Sequence, residues 1–267
     1  MEITKIINDL EDKRIQAQSW FIDKEKRKVS TQYDNRETSA VSVLSVETFI
    51  SFYEEKFNKK PTSILDIGCG QGQVLKYLSQ QLPFASLTGI DSSYDAITTA
   101  KLLNINAEFI CTDVERISFQ NRTFDIIFIH LCFGLFRDPL IVLKNLIPYM
   151  SSESLIYIVD LNRECVEEGI TSSKSQIEEL YLRDQYNAAF SLTELKNLLS
   201  FVTEPEVDLT FTIGTSLIGG FNQWSSDFLS LLGYSNLQKA LRLISEEDNR
   251  QQHQMPDLLH AWVIKGD

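Results

Sequence analysis

Between residues 63 and 161, short apolar runs alternate with amphipathic segments. The apolar runs predict five β-strands, SILDI, SLTGID, AEFICTDV, FDIIFIHL and SLIYIVDL. The segments between them repeat apolar residues at helical spacing, as in Val74, Leu75, Leu78 and Leu82. Near-continuous apolar strands that alternate with helices predict a parallel sheet covered by helices on both faces.

Helix boundaries are also visible in the local sequence. Ser92 with Asp95 resembles a capping box, and Ser191 with Glu194 predicts a second one. Pro139 suits the first turn of a helix, where the missing N–H group has no helical partner to lose. These signals place helices directly after the second and fourth strands and after the region that follows the fifth.

Both flanks of this pattern are predicted to be additions to one domain. Residues 1–60 predict a helical lid or arm, and residues 61–267 predict an α/β domain. Insertions are predicted at about 163–190 and 220–256, the second lying between two further strands, EVDLTFTIG and LLHAWVIKG. No linker rich in Pro, Gly or Ser divides the chain, which favours one domain with decorations.

Composition narrows the classes of partner. The chain has 267 residues and a net charge of −12, which disfavours nonspecific binding to nucleic acids or anionic membranes. The amino terminus lacks a signal-peptide pattern, and no apolar stretch has the length of a membrane span. We therefore expect a cytoplasmic protein with no nucleic-acid or membrane partner. The four cysteines show no metal-type pairing, so we expect free thiols and no metal site: Cys69, Cys111, Cys132 and Cys165.

Three glycines follow the first strand at alternate positions, Gly68, Gly70 and Gly72. Such a turn lets the backbone approach a ligand at the carboxyl edge of the sheet, where the next helix begins. The dinucleotide fingerprint G-x-G-x-x-G is not met, because Gln73 occupies its third glycine position. Asp66 also lies beside the turn, and a carboxylate there does not favour a pyrophosphate. A purely conformational role for the glycines is the remaining alternative.

The pattern Asp66-x-Gly68-x-Gly70-x-Gly72 resembles motif I of class I S-adenosylmethionine-dependent methyltransferases, and the resemblance continues in order to about residue 160. It implies a seven-stranded, mostly parallel, doubly wound Rossmann-like sheet. It also implies S-adenosyl-L-methionine as cofactor and S-adenosyl-L-homocysteine as product. An acid-lined pocket suits that cofactor, which carries an ammonium and a sulfonium group.

The resemblance also implies roles for single residues. Asp66 is expected near the cofactor's ammonium group, Asp91 at the ribose hydroxyls and Asp113 at the adenine amino group. As alternatives, Asp91 is a helix cap and Asp113 an ordinary loop acid. The cofactor-binding residues are expected to be Asp66, Gly68, Cys69, Gly70, Gly72, Asp91, Ser92, Thr112, Asp113, Val114 and His130.

Acceptor-side residues carry weaker signals. His130, at the end of the fourth strand, is the best candidate for a general base, and a histidine bonded to backbone is the alternative. Tyr33, in the amino-terminal arm, is a candidate catalytic residue. The arm resembles the lid of small-molecule methyltransferases, which implies that this tyrosine covers the cofactor. Asp160 either binds substrate or caps a turn. His260 is a poor candidate. Substrate contacts are expected from Phe133, Asp160, Tyr181, Arg183 and Tyr186.

These residues together predict methyl transfer by in-line displacement to an O, N or C nucleophile of a small molecule. An apolar or aromatic part of that molecule is expected to lie under the lid. The alternatives are methylation of a protein or peptide side chain, and a cofactor-binding protein without transfer activity. A monomer or homodimer is expected.

Overall fold

The structure is a computed structural model. It describes residues 2–23, 25–26, 40–163, 170, 175–202, 208–216 and 258–266. Tyr33, Cys165 and the predicted insertion at about 220–256 lie outside the described residues.

The described helices and strands follow the predicted order. The helices are α1 (Glu2–Ile22), α2 (Ala40–Phe57), α3 (Gln73–Gln81), α4 (Tyr94–Lys101), α5 (Pro139–Leu146), α6 (Gln176–Ala188) and α7 (Leu192–Ser200). The strands are β1 (Ser63–Ile67), β2 (Ser86–Asp91), β3 (Glu108–Cys111), β4 (Phe124–His130), β5 (Met150–Leu161), β6 (Leu209–Ser216) and β7 (Leu258–Lys265).

The described strands form one seven-stranded sheet in the order β3-β2-β1-β4-β5-β7-β6. Neighbouring strands from β3 to β5 pair in parallel, whereas β7 runs antiparallel to both β5 and β6. The strand order reverses between β1 and β4, and ligands of open α/β sheets bind at the carboxyl edge beside such a switch point. The predicted fold class is therefore confirmed.

A hydrophobic core covers each face of the sheet. On one face α2 packs Phe49 against Phe128, with ring centroids 5.0 Å apart, and Phe52 against Trp262 at 4.6 Å. On the other face α5 and α7 cover a second core built from strand residues such as Ile127. Two apolar faces explain why the central strands read as continuous apolar runs rather than as alternating ones.

One predicted helix cap was wrong by one residue. Ser93, not Ser92, caps α4, and its side-chain oxygen accepts a hydrogen bond from the backbone N–H of Ala96. Ser92 is displaced from this role because Asp91 accepts the N–H of Ser93 and so fixes where the helix begins. The capping box of Ser191 and the start of α5 at Pro139 occur as predicted.

The amino-terminal helix is fastened to α6 by buried polar contacts. Asp184 accepts hydrogen bonds from Trp20 Nε1 at 2.8 Å and from Gln16 Nε2 at 3.2 Å. Gln185 Nε2 donates to the carbonyl of Ala17 at 3.1 Å. Trp20 is 1% exposed, so this contact fixes α1 on the body of the protein.

Candidate active site

The glycine turn lies between β1 and α3 with all three glycines in the left-handed region, at φ values of 69°, 52° and 81°. A Cβ atom at Gly68 would lie 2.6 Å from Cys132 Sγ, and one at Gly72 would lie 2.9 Å from the ring of Phe109. A Cβ at Gly70 would meet no atom of the described residues within 4 Å. Gly68 and Gly72 are therefore required for packing, while Gly70 borders open space.

Asp91 holds this turn in place from the end of β2. Its Oδ2 accepts the backbone N–H of Gly70 at 2.9 Å, and its Oδ1 accepts that of Ser93 at 2.7 Å. Burial raises the pKa of Asp91, and these two hydrogen bonds oppose the rise. The same carboxylate thus joins the glycine turn to the start of α4, and each oxygen keeps further capacity to accept a hydrogen bond.

Asp66 is a buried carboxylate beside the turn. It is 2% exposed, and its Oδ2 accepts no hydrogen bond from any described residue. Burial, and then the charge of Asp91, raise the pKa of Asp66 well above its usual range. A buried acid without a protein partner is costly unless a ligand supplies the missing donor or charge. The position therefore suits a cation.

The predicted adenine-side residues follow β3, which ends at Cys111 and is shorter than the sequence indicated. The Asp113 side chain accepts the N–H of Glu115 at 3.0 Å and caps a short 3₁₀ turn over Val114–Arg116. The amide of Thr112 donates to the carbonyl of Asp91 at 2.9 Å, which places this loop beside the second acid. Val114 is buried, and Ser92 is exposed at the same edge.

His130 ends β4 at the same edge. Its Nε2 atom is buried and has no hydrogen-bond partner among the described residues. Burial lowers the pKa of His130 to about 4, so the imidazole is neutral near pH 7. Its ring lies against Phe128 with centroids 5.2 Å apart. The uncommitted nitrogen is available to a ligand at this edge.

The two residues after His130 lie beside the glycine turn or are exposed at this edge. Cys132 donates its Sγ–H to the carbonyl of Ile67 at 3.3 Å and packs against the glycine turn. Leu131 adopts a left-handed conformation with φ 55° and is 39% exposed. A left-handed leucine has no signal in the sequence, because this conformation is unfavourable for leucine and depends on tertiary contacts.

The predicted substrate residues nearest the edge are held by internal contacts. Phe133 is fully buried, and its ring packs against Phe136 and Phe190. Asp160 accepts the N–H groups of Gly134 and Leu161, both at 2.7 Å. Burial raises the pKa of Asp160 to about 6, and these hydrogen bonds oppose the rise. Of its two predicted roles, these contacts favour stabilising a turn.

Two of the three predicted residues on α6 have contacts with α1 or within α6. Tyr181 packs edge-on against Trp20, with ring centroids 5.5 Å apart. Tyr186 is buried, and burial raises its pKa to about 12. Arg183 is exposed and forms an ion pair with Glu179 on the same helix. Tyr181 therefore joins α6 to α1, and Arg183 lies at the surface of α6.

His260, dismissed from sequence, belongs to a buried polar pair. The hydroxyl group of Tyr157 and His260 Nδ1 are 2.6 Å apart, between β5 and β7. Burial, and then His130, lower the pKa of His260 to about 3. The register pairs Val159 of β5 with both His130 and His260, so the two imidazoles belong to one row across the sheet.

The arrangement of acceptor groups at this edge fits S-adenosylmethionine. The uncommitted Asp66 oxygen suits its ammonium group, and the open space beside Gly70 admits a ligand against the backbone. Asp91 and Asp113 retain capacity to accept hydrogen bonds from hydroxyl and amino groups. The described residues contain no cluster of His, Cys, Asp or Glu placed to bind a metal ion, and no helix among them is long and apolar enough to cross a membrane.

Comparison with known proteins supports the same chemistry. The sequence profile described as "Methyltransferase domain" matches residues 64–148. A malonyl-[acyl-carrier protein] O-methyltransferase of Bacillus anthracis is 29% identical over 60% of this chain and 60% of its own length. A demethylmenaquinone methyltransferase of Thermotoga maritima is 30% identical over 38% of this chain and 44% of its own. The chain thus spans three fifths or less of these two curated relatives.

Solved structures of two related proteins match almost the whole chain. The plantazolicin methyltransferase BpumL, in complex with a pentazolic desmethylPZN analog and SAH, is 54% identical over 98% of this chain and 99% of that one, with a TM-score of 0.86. The plantazolicin methyltransferase BamL, in complex with a triazolic desmethylPZN analog and SAH, is 50% identical over 99% and 100%, also with a TM-score of 0.86. These similarities confirm the predicted methyl transfer and the predicted cofactor.

Proposed function

This chain belongs to the class I S-adenosylmethionine-dependent methyltransferases, and from that premise we propose that its methyl acceptor is an azole-containing compound of the plantazolicin type. The observation that carries the proposal is the extent of the similarity to BpumL and BamL. It covers the segments before residue 64 and after residue 148, outside the matched methyltransferase profile. In a fold that serves many functions, such additions are where acceptor choice is encoded.

The ligands of the related structures support the same acceptor class. BpumL carries monoazolic, triazolic and pentazolic desmethylPZN analogs, and BamL carries a triazolic one. Azoles are flat heteroaromatic rings, in keeping with the apolar or aromatic acceptor expected from the sequence. Because plantazolicin is a peptide natural product, this acceptor lies between the small molecule expected from the sequence and its alternative, a protein or peptide side chain.

We assign the cofactor to the glycine turn and its acids. Asp66 would hold the ammonium group, and Asp91, fixed by Gly70 and Ser93, would hold the ribose hydroxyls. Asp113 would accept the adenine amino group while it caps the turn that follows β3. When bound, S-adenosylmethionine supplies an electrophilic methyl group.

The residues at the carboxyl edge would align the acceptor and exclude water, which is the main requirement of a direct displacement. His130 would face the acceptor as a neutral imidazole, because burial keeps its pKa at about 4. A neutral imidazole nitrogen can accept a proton or a hydrogen bond from the nucleophile without adding a positive charge beside the sulfonium.

The expected lid of residues 1–60 is proposed to consist only of its part before α2, with α1 as its fixed part, because α2 packs in the core of the sheet. Its support is the contact of Trp20 and Gln16 with Asp184, which fastens α1 before the arm that contains Tyr33. Tyr33 would cover the cofactor, and the segment at about 220–256 would complete the domain of residues 61–267.

The acceptor is tested by incubating the full chain with S-adenosylmethionine and a panel of acceptors. The panel contains monoazolic, triazolic and pentazolic desmethyl-plantazolicin analogs, a malonyl-acyl-carrier protein and a demethylmenaquinone. Mass spectrometry should show methylated azole products only. The variant Asp91→Ala, which loses the anchor of the glycine turn, serves as the inactive control. Methylation of another panel member without turnover of any azole analog would overturn the assignment.

A further inference from the structure

Leu131 follows His130 at the end of β4 in a strained backbone conformation. Its φ of 55° lies in the left-handed region, where the Cβ atom of an L-residue approaches its own backbone. The conformation is held by a hydrogen bond of 2.7 Å from the Leu131 N–H to the carbonyl of Val159 on β5. The next residue, Cys132, packs against Gly68.

The left-handed conformation occurs mostly at other residue types in the described part of the chain. Among the described residues, the other non-glycine positions with positive φ are Asn58, Asn104, Asn121 and Glu153. Three of these four are asparagine, which tolerates the left-handed region because its short polar side chain interacts locally with the backbone. A leucine at residue 131 is therefore not explained by the backbone, which asparagine or glycine would satisfy at lower cost.

Core packing does not explain the leucine either. Its side chain is 39% exposed, and it belongs to neither of the two hydrophobic cores of the described residues. Its neighbours in sequence do have defined positions in the site. His130 carries an uncommitted buried nitrogen, and Cys132 packs against the glycine turn. Leu131 is thus an exposed apolar residue with strained backbone that stands, in the sequence, between His130 and Cys132.

We infer that Leu131 is a specificity residue whose side chain contacts the heteroaromatic ring of the acceptor nearest the transferred methyl group. This inference rests on the proposed function, because a flat apolar acceptor gives an exposed leucine a surface to cover. Backbone strain persists at functional sites when a side chain is needed at one location. The strain is retained because the contact requires an apolar side chain of this size.

The test compares Leu131→Asn with the wild type in two measurements. In thermal unfolding without ligand, Leu131→Asn should raise Tm by roughly 2 °C, because asparagine relieves the strain and little packing is lost. In steady-state turnover of the triazolic analog, the same variant should raise the KM for the acceptor by roughly fivefold or more. The Kd for S-adenosylhomocysteine should stay unchanged.

Two further variants separate the side chain from the backbone. Leu131→Met keeps an apolar side chain and should retain a KM close to that of the wild type. Glu153→Asn changes another strained residue, near the start of β5 at the opposite edge of the sheet. It should match or exceed the Tm of the wild type and leave the acceptor KM unchanged.

The possible failures are distinct. If the wild type methylates the azole analog and Leu131→Asn does so with the same KM, the inference about Leu131 is wrong and the proposed function stands. A lower Tm for Leu131→Asn would also overturn it, because the leucine would then be a packing residue. If the wild type methylates no azole analog, the proposed function fails, and the ring contact fails with it.

Discussion

Asp66, which is buried, and Asp91, which is half-buried, lie at one edge of the sheet with unequal hydrogen bonding. Asp91 accepts the N–H groups of Gly70 and Ser93, whereas Asp66 Oδ2 accepts none from the described residues. Burial and the neighbouring Asp91 together raise the pKa of Asp66 well above that of a solvated carboxyl group. Asp91 therefore stabilises the glycine turn, whereas Asp66 keeps an oxygen that a cationic ligand can contact.

The first prediction concerns Asp66→Asn. The variant should bind S-adenosylmethionine about 10- to 100-fold more weakly, because a charge-assisted contact to the ammonium group is lost. In the wild type the affinity should rise with pH. The raised pKa keeps the free carboxyl group partly protonated, and cation binding must release that proton. Isothermal titration calorimetry in buffers of different ionisation enthalpy measures both effects.

Adenosine provides the control for Asp66, because it lacks the ammonium group and should bind the variant and the wild type equally.

The Asp66→Asn variant should bind the cofactor more weakly than the wild type but should be more stable without ligand at high pH. A folded-state pKa above the unfolded value means that stability is lost as pH rises through the folded pKa. Without ligand, Asp66→Asn should therefore have a higher Tm than the wild type at pH 8 and an equal one near pH 4. A lower Tm at pH 8 would contradict this account.

The second prediction concerns Asp91→Asn. An amide side chain has one acceptor oxygen for the two N–H groups of Gly70 and Ser93, so one hydrogen bond is lost. The free energy of unfolding should fall by about 1–3 kcal/mol, and the cofactor Kd should rise by about tenfold or more. Chemical denaturation and calorimetry check the two changes. Asp95→Asn, at an exposed acid in the first turn of α4, should change neither by a comparable amount.

The sequence predicted the sheet well because its strands are buried on both faces and read as apolar runs. The sequence did not predict two local features correctly, the cap of α4 and the conformation of Leu131. Both depend on contacts with other residues in the folded chain. Ser93 replaced Ser92 as the cap because Asp91 fixes the start of α4. The left-handed conformation of Leu131 depends on the carbonyl of Val159, which lies 28 residues away in the sequence.

The acids of the predicted site illustrate the same limit. Asp66, Asp91 and Asp113 were predicted from the resemblance to class I methyltransferases, in which acids stand at the ends of successive strands. Spacing gave no means to separate the two roles of Asp160, since its hydrogen bonds to Gly134 and Leu161 exist only once β5 lies beside the turn after β4. The periodicity of the sequence predicts which residues lie at the carboxyl edge of the sheet. It does not predict which of them form hydrogen bonds with other protein groups there.

The third prediction concerns the attachment of α1. Asp184→Ala should lower the free energy of unfolding by about 1–3 kcal/mol, because it leaves the buried Trp20 Nε1–H without its acceptor. Hydrogen exchange should accelerate in residues 10–22. The acceptor KM should rise more than the cofactor Kd, because α1 belongs to the proposed lid. Glu179→Ala, which removes only a surface ion pair of α6, should change stability by less than about 1 kcal/mol.

The fourth prediction concerns the buried pair of His260 and Tyr157. Burial, and then His130, lower the pKa of His260 to about 3, so the folded protein keeps this imidazole neutral while the unfolded chain protonates it below about pH 6.5. Stability must therefore fall as pH decreases from about 6.5 towards 3.

His260→Gln keeps a polar partner for the Tyr157 hydroxyl group but cannot titrate. Between pH 7 and pH 4.5, the wild type should lose roughly 2 kcal/mol more than this variant in urea denaturation. Asp66, Asp160 and His130 titrate in both proteins, so the difference reports the titration of His260 together with its repulsion of His130. Parallel pH profiles for the two proteins would show that the imidazole is already protonated or solvated in the folded state.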